Sequence, residues 1–163
     1  MENKEKQGAK IGLMGLIEIT VRDKDGIIKD MRKIRNLITD AGLAGLASRI
    51  NGDGSEAAFT YLAVGVGTGA AAAANTTLGT EITDSGLARA AATASRTQTT
   101  VANDTAKLSK TWSVSGTKAV TEVGALNAAS AGTLLGRQVF TAVNVVSGDS
   151  LQIDYSFVSA NAA

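Results

Sequence analysis

The stretch SLQIDYSFV, residues 150–158, has the clearest structural signal in the chain. From Leu151 to Phe157 its apolar residues, which are Leu151, Ile153, Tyr155 and Phe157, alternate strictly with polar ones. Successive side chains of a strand point to opposite faces, so this alternation predicts a strand with one buried face. Residues 11–21 repeat the pattern, because every odd position there is apolar or glycine. Two half-buried strands, far apart in the sequence, are therefore predicted.

Shorter β-compatible runs fill much of the chain between these two strands. They are separated by turns rich in glycine, asparagine and aspartate, and cover residues 27–34, 59–66, 87–100, 105–115, 120–126 and 133–143. Asp25-Gly26 ends the turn after the first strand, and an Asp-Gly pair favours a tight hairpin. Strands at this spacing predict an all-β fold, either an antiparallel β-sandwich or a jelly roll.

One segment, residues 40–49, has helical rather than strand periodicity. Its apolar residues are spaced as on one helix face and are Leu43, Leu46, Ala47 and Ile50. Thr39 is a candidate N-cap, and Asn51-Gly52 is a stop signal. Gly42 and Gly45 lower the helix propensity. The sequence therefore predicts one short helix at about 40–49.

The first ten residues form a charged and polar segment without apolar periodicity. We interpret residues 1–10 as an N-terminal arm and residues 11–163 as a single β-sandwich domain. The arm lacks the apolar core of a secretion signal, so we expect the protein to be made and kept in a cytoplasm. Its lysines, Lys4, Lys6 and Lys10, are candidate contacts with a partner.

Composition argues against most catalytic chemistry. The chain of 163 residues contains no Cys and no His, so a thiolate nucleophile and the commonest general base are missing. Carboxylate or lysine catalysis remains open, but we expect a protein that is not an enzyme and that has no cofactor and no metal. The net charge is +1, which argues against a partner that is a nucleic acid or a membrane surface.

Two loops resemble ligand sites but fit turns better. Residues 65–69 read G-x-G-x-G, which is neither the dinucleotide fingerprint nor a phosphate loop with its Lys-Ser/Thr pair. Residues 23–26 resemble the opening of a calcium loop, but Ile34 occupies the twelfth position, where that loop needs glutamate. We interpret the first as a glycine-rich turn and the second as a hairpin turn.

The remaining charged clusters have simple structural interpretations. The carboxylate pairs Asp149 with Asp154 and Glu81 with Asp84 could perform acid–base chemistry, but solvated charges at strand ends explain them better. The basic cluster Lys29, Arg32, Lys33 and Arg35 has no interleaved aromatic residues, so we interpret it as a solvated or partner-facing strand. Trp112, on an otherwise apolar face, is predicted to be core.

Arg89 and Arg137 each interrupt an apolar run. A buried arginine needs carboxylate or carbonyl partners, in the same subunit or in a neighbour, and Glu81 and Glu122 are natural partners. Outward-facing arginines on a two-sided sheet are an equal alternative. Aromatic residues are only 4% of the chain, so its sheets bury little apolar area per position. A core shared between copies of the chain would add to that buried area. We expect a homo-oligomer, with a trimer favoured, in which Arg89 and Arg137 are possible subunit contacts.

The order of six short segments resembles small structural proteins of tailed bacteriophages and prophages. The segments are residues 36–43 (NLITDAGL), 62–69 (LAVGVGTG), 76–82 (TTLGTEI), 121–127 (TEVGALN), 137–140 (RQVF) and 147–151 (SGDSL). The similarity covers about residues 17–157. The family form often has proline after the Gly-Thr loop, where this chain has alanines at 70–74. The family offers no catalytic residues to transfer.

The resemblance implies a structural role in the virion, for which two positions compete. One is a capsid decoration or cement protein that contacts the major capsid protein, which we favour because the domain is single and compact. The other is a tail-tip or tail-fibre-associated protein. A carbohydrate-binding β-sandwich is a third reading, disfavoured because Trp112, Tyr61 and Tyr155 all fall on predicted core faces.

Overall fold

The computed structural model describes residues 10–162, and among these the side chains of residues 12–159. Two antiparallel sheets of five strands each pack face to face. The strands are β1 (Lys10–Arg22), β2 (Ile28–Arg35), β3 (Leu37–Ile38), β4 (Tyr61–Gly65), β5 (Ala90–Ala91), β6 (Thr93–Thr97), β7 (Thr105–Ser113), β8 (Lys118–Leu126), β9 (Leu134–Val145) and β10 (Ser150–Ala162). One helix, α1 (Asp40–Asn51), and a short 3₁₀ turn (Asp53–Ser55) join β3 to β4.

The strand order is β2-β1-β10-β7-β6 in the first sheet, here called sheet A, and β3-β9-β8-β4-β5 in the second, sheet B. The main core lies between them and contains side chains of both, such as Ile19 and Tyr155 from sheet A and Leu62 and Val123 from sheet B. The predicted antiparallel β-sandwich with one short helix is confirmed.

The two strands with the clearest alternation, β1 and β10, are neighbours at the centre of sheet A. They pair antiparallel along their whole length, from Lys10 opposite Ala162 to Arg22 opposite Ser150. Their alternate residues, Ile17, Ile19, Val21, Leu151, Ile153 and Tyr155, are at most 1% exposed. Lys10, which we predicted to end the arm, is the first residue of β1.

Helix α1 begins where the sequence predicts and runs two residues further, to Asn51. Thr39 caps it, since its hydroxyl accepts a hydrogen bond from the backbone N–H of Gly42 at 3.0 Å. Gly42 and Gly45 are buried, and a Cβ atom at Gly42 would lie 2.3 Å from the carbonyl oxygen of Leu135. Gly42 therefore allows the helix to approach β9 closely, and Gly45 allows it to approach the side chain of Phe59, which a Cβ atom would meet at 2.9 Å.

The predicted run at residues 87–100 is not one strand. Ala90 and Ala91 pair with β4 in sheet B, whereas Thr93–Thr97 pair with β7 in sheet A. The chain crosses between the sheets at Ala92, which packs against the core. The prediction of a single strand was wrong because local composition does not specify which sheet a β-compatible residue joins.

A bulge in β9 faces the edge of the other sheet. Between the pairs Val120–Val143 and Glu122–Val139, β8 has one residue and β9 has three, residues 140–142. The carbonyl oxygens of Thr141 and Ala142 accept hydrogen bonds from the guanidinium of Arg32 in β2. Arg32 is itself held by Asp30, with Nη2 and Oδ2 2.6 Å apart. One arginine of sheet A thus satisfies carbonyls that the bulge removes from the ladder of sheet B.

Candidate functional site

A buried ion pair lies under a long loop on the outer face of sheet B. Glu122 of β8 and Arg137 of β9 are 0% and 3% exposed. Val123 and Ala125 point into the main core, so Glu122 faces the opposite side of the sheet. The loop, residues 66–80, covers this side. We call the ion pair and the loop groups that it binds the loop clamp.

The carboxylate of Glu122 is fully engaged by four donors. Oε1 accepts from the backbone N–H groups of Gly67 at 3.0 Å and Thr80 at 2.7 Å. Oε2 accepts from the N–H of Gly79 at 2.9 Å and from Nε of Arg137 at 2.8 Å. The two ends of the loop are therefore joined through one side chain.

The guanidinium of Arg137 binds the middle of the same loop. Nη1 donates to Oδ1 of Asn75 at 3.0 Å and Nη2 donates to the carbonyl of Gly69 at 3.1 Å. Nη2 also lies 2.7 Å from Oε2 of Glu122. Further along, the backbone N–H of Asp40, at the start of α1, donates to the carbonyl of Ala73 at 2.9 Å. The loop is thus anchored at its ends, its middle and its alanine run.

Glycines make room for this arrangement. An added Cβ at Gly65 or at Gly67 would lie 2.4 Å from Oε1 of Glu122, and one at Gly79 would lie 3.0 Å from Nη2 of Arg137. The glycine-rich run that resembles a phosphate loop is the end of β4, at Gly65, followed by irregular chain rather than by the predicted turn. Its Gly67 N–H is occupied by an internal carboxylate, which explains the glycines without any bound phosphate.

A small second core completes the attachment of the loop. Leu78 packs with residues on the outer face of sheet B, namely Ala63, Leu126 and Leu134, and Tyr61 lies against them. Leu78 is 6% exposed. Apolar burial beside the loop clamp therefore makes the loop a third layer over sheet B.

The environment of Glu122 favours its ionised form. Burial by itself would raise the pKa of Glu122. The N–H groups of Thr80 and Gly79 and the guanidinium of Arg137 hydrogen-bond the carboxylate, however, and together they hold its pKa below the ordinary value. A carboxylate stabilised in this way is a poor proton acceptor at neutral pH, so it acts as a structural anion rather than as a general base.

Arg89 forms the second ion pair that the sequence suggests. Its Nε and Nη2 bind Oε1 and Oε2 of Glu81 at 2.9 and 2.5 Å, a bidentate geometry. Its Nη1 donates to the carbonyls of Ala128 and Ala131 at 3.2 and 2.7 Å. Arg89 therefore ties the segment before β5 to the loop between β8 and β9.

Both arginines bind one of the two glutamates named as possible partners, Arg89 with Glu81 and Arg137 with Glu122, and both pairs lie within one chain. Neither arginine needs a neighbouring subunit to satisfy its charge. Their role as subunit contacts stays a prediction, but unmet hydrogen bonds of the two guanidinium groups no longer support it. Lys4 and Lys6 lie outside the described residues, as does the side chain of Lys10.

The other charged residues singled out in the sequence also pair locally. Asp149 binds Lys29 at 2.5 Å, Asp84 binds Lys118 at 2.7 Å, and Asp154 lies 3.2 Å from Lys107. Within the basic cluster, Arg32 pairs with Asp30 and Lys33 with Glu18. Burial would raise the pKa of Asp149, but hydrogen bonds from Lys29 and from the N–H of Val146 lower it overall. Each carboxylate of the two pairs named in the sequence analysis therefore binds a cation of its own.

The aspartates of the first turn shape a hairpin. The carboxylate of Asp23 accepts from the N–H groups of Asp25 and Ile27, both at 2.9 Å. Gly26 has φ +82°, a conformation that favours glycine. The predicted hairpin turn between β1 and β2 is confirmed.

Aromatic side chains provide no exposed platform. The chain has one Trp, two Tyr and three Phe. All of them lie among the described side chains, and each is buried or half-buried. Trp112 is 3% exposed, as predicted, and its Nε1 donates to the carbonyl of Ala88 at 2.9 Å. Trp112 and Tyr155, which are 3% and 0% exposed, therefore belong to the core and offer no stacking face to solvent.

No protein family model, curated protein or solved structure matches this chain. Among the described residues, no helix is both long enough and apolar enough to cross a membrane.

Proposed function

We propose that this chain is a non-catalytic structural protein of a tailed-phage particle, and that it binds and stabilises the capsid shell as a decoration protein. The observation that carries the non-catalytic part is the saturation of the loop clamp. A catalytic carboxylate needs access to a substrate proton or atom, whereas four internal donors occupy Glu122. The assignment to a phage rests on the segment order described in the sequence analysis.

The bracing of the long loop suits a shell component. Glu122 and Arg137 fix residues 66–80 against sheet B, and Arg89 fixes the segment before β5. A loop that is ordered before binding loses little further conformational entropy when a partner contacts it. The chain contains no cysteine, so this framework does not depend on disulfides.

The edge strand β2 offers a surface for attachment. Its outward apolar side chains Ile28 and Met31 are 47% and 69% exposed, and the adjoining Ile27 is 64% exposed. An edge strand also presents unpaired backbone donors and acceptors, which natural proteins usually shield. Clustered exposed apolar residues mark interaction sites more often than scattered ones do. We therefore infer that β2 faces the major capsid protein.

We also propose that the protein acts as a homo-oligomer, a trimer, on the virion. The main core closes within one chain, so oligomerisation would serve multivalent attachment rather than completion of the fold. Each copy then contributes a weak contact, and the assembled ring binds strongly.

Particles assembled without this protein test the proposal. We expect them to form normally but to release their genome at a lower temperature than wild-type particles. Added purified protein should restore the release temperature. A Met31→Glu variant should fail to restore it, whereas Ile50→Glu, a change at a position 87% exposed on α1, should restore it fully.

Two outcomes would contradict the proposal. Particles that are equally stable without the protein but fail to adsorb to cells would place it at the tail tip or fibre. Particles that are normal in both respects would exclude both structural positions.

A further inference from the structure

An apolar cavity of 240 Å³ opens between α1 and the inner face of sheet A. Its walls include Leu13 of β1, Leu46 of α1, Phe59, Leu108 of β7 and Phe157 of β10. A dry engineered cavity of about 150 Å³ holds benzene, and drug-sized ligands need about 300 Å³ or more. The volume therefore suits a short hydrocarbon chain or a single ring.

One arginine lines the cavity, and a second lies on the same face of sheet A. Arg49 of α1 lines it directly, and its Nη1 donates to the carbonyl of Glu56 at 2.9 Å, which orients the guanidinium. Ala106 also lines the cavity, and Arg96 of β6 pairs directly with Ala106. Directly opposed residues of antiparallel strands have their side chains on the same face, so Arg96 lies on the cavity side of sheet A.

Both arginines retain donors for a ligand. Each is exposed, and among the described side chains no carboxylate lies within ion-pair distance of Arg49 or Arg96. By contrast, Arg89 and Arg137, which also have apolar neighbours in the sequence, each form an ion pair with a glutamate. An apolar cavity lined by one arginine, with a second arginine on the same face of the neighbouring strand, is complementary to a molecule with an apolar tail and an anionic head.

We propose that this cavity binds a small amphiphile with a carboxylate head, its hydrocarbon tail between α1 and sheet A and its carboxylate at Arg49. The tail would bury apolar wall that is now open to water. The carboxylate would take up guanidinium donors that no described carboxylate occupies. This proposal is independent of the proposed virion role.

Titration of the full chain with octanoate, followed by methyl and amide NMR, tests the proposal. We expect saturable shifts at Leu13, Leu46 and Leu108, with Val123, in the same core but outside the cavity wall, unchanged. Octanol, which has the same tail without charge, should bind about fivefold more weakly, since an exposed ion pair contributes about 1 kcal/mol. Octylamine, a cation, should bind more weakly still.

Matched variants separate the two parts of the site. Arg49→Gln should reduce octanoate affinity to that of octanol, whereas Arg35→Gln, on the outer face of sheet A, should leave it unchanged. Ala106→Phe should abolish binding by filling the cavity, whereas Ala119→Phe, on an exposed position of β8, should not. If Ala106→Phe fails to fold, Ala58→Leu fills the same cavity from the other wall.

Three results would overturn the proposal. One is the absence of saturable shifts at the wall, and another is equal affinity for octanoate and octanol. The third is a set of nuclear Overhauser contacts between residues 1–9 and Leu108, which would mean that the chain's own segment occupies the cavity.

Discussion

The carboxylate of Glu122 joins segments that are far apart in the sequence. Gly67, Gly79 and Thr80 donate to it from one loop, and Arg137 donates from β9. A buried charge of this kind is costly to leave unpaired, because its partner stays desolvated when it is removed. The energetic importance of Glu122 therefore exceeds that of a surface glutamate in an ion pair.

Replacement of Glu122 by glutamine tests this importance. Glu122→Gln leaves the Arg137 guanidinium buried without its counter-charge, so we expect unfolding free energy to fall by about 3 kcal/mol at neutral pH. Urea unfolding followed by circular dichroism measures the change. Glu18→Gln, which breaks the exposed pair with Lys33, should change stability by less than about 1 kcal/mol. Equal losses in the two variants would contradict the structural role of the loop clamp.

The same variant should reveal the pH dependence of the loop clamp. The pKa of Glu122 in the folded chain lies below its ordinary value, so the unfolded chain takes up the proton first as the pH falls. The stabilisation is fully present above the unfolded pKa of about 4.3 and is lost as the pH falls through the folded pKa. The difference between wild type and Glu122→Gln should therefore be constant from neutral pH to about pH 5 and shrink below it. A stability difference between wild type and Glu122→Gln that grows as the pH falls would contradict a lowered pKa of Glu122 in the folded chain.

Only part of the loop clamp could be predicted from the sequence. An arginine within an apolar run signals a buried partner, and this signal identified Arg137 with Glu122 as one of the candidates. The glycines were interpreted only as turn residues. Their closeness to Glu122 depends on the pairing of β4 with β8, which brings Gly65 opposite Glu122. A glycine-rich turn that ends a strand, together with a glutamate inside another strand, is the signal that could have linked them.

Among the strands, β2 joins the two sheets at one edge of the sandwich. Arg32 reaches the carbonyls of Thr141 and Ala142 in the bulge of β9. We expect Arg32→Gln to lower the unfolding free energy by about 1 kcal/mol, because the carbonyls of Thr141 and Ala142 lose a charged donor. Hydrogen exchange should quicken at residues 143–145, next to the bulge.

Arg35→Gln, also in β2, is the matched control for Arg32→Gln. Arg35 lies on the same strand, is exposed and forms no ion pair among the described residues. Its replacement should leave both stability and exchange near those of wild type. A similar loss in both variants would indicate a general effect of charge on β2.

The elements that sequence reasoning found are those with local signals. The turn at residues 23–26 follows from an Asp-Gly pair, and α1 follows from its cap at Thr39. The short strands β3 and β5 have two residues each and exist only through their partners in sheet B. The bulge in β9 is equally non-local, because it is defined by its pairing with β8.

At the scale of the whole molecule, one continuous core links both sheets. Trp112 belongs to this core with residues of β1, β4, β8, β9 and β10. We expect a short-wavelength emission from this single tryptophan, and urea unfolding curves by fluorescence and by far-ultraviolet circular dichroism that coincide. Curves with separate midpoints would mean that the sheets unfold independently. Emission typical of an indole in water would mean that the face of β7 that carries Trp112 is exposed to solvent.

The pairing of β1 with β10 means that sheet A cannot be completed until the last described strand has been synthesised. The first described strand is completed on one side only when the last described strand reaches it, a sequence separation of about 140 residues at the centre of sheet A. During translation, the hairpin of β1 and β2 leaves the ribosome with the buried face of Ile17 and Ile19 uncovered. Because this pairing is late and non-local, we expect folding in the millisecond-to-second range typical of β-sandwiches. Until it forms, the exposed apolar face can associate with other nascent chains that are translated from the same messenger RNA.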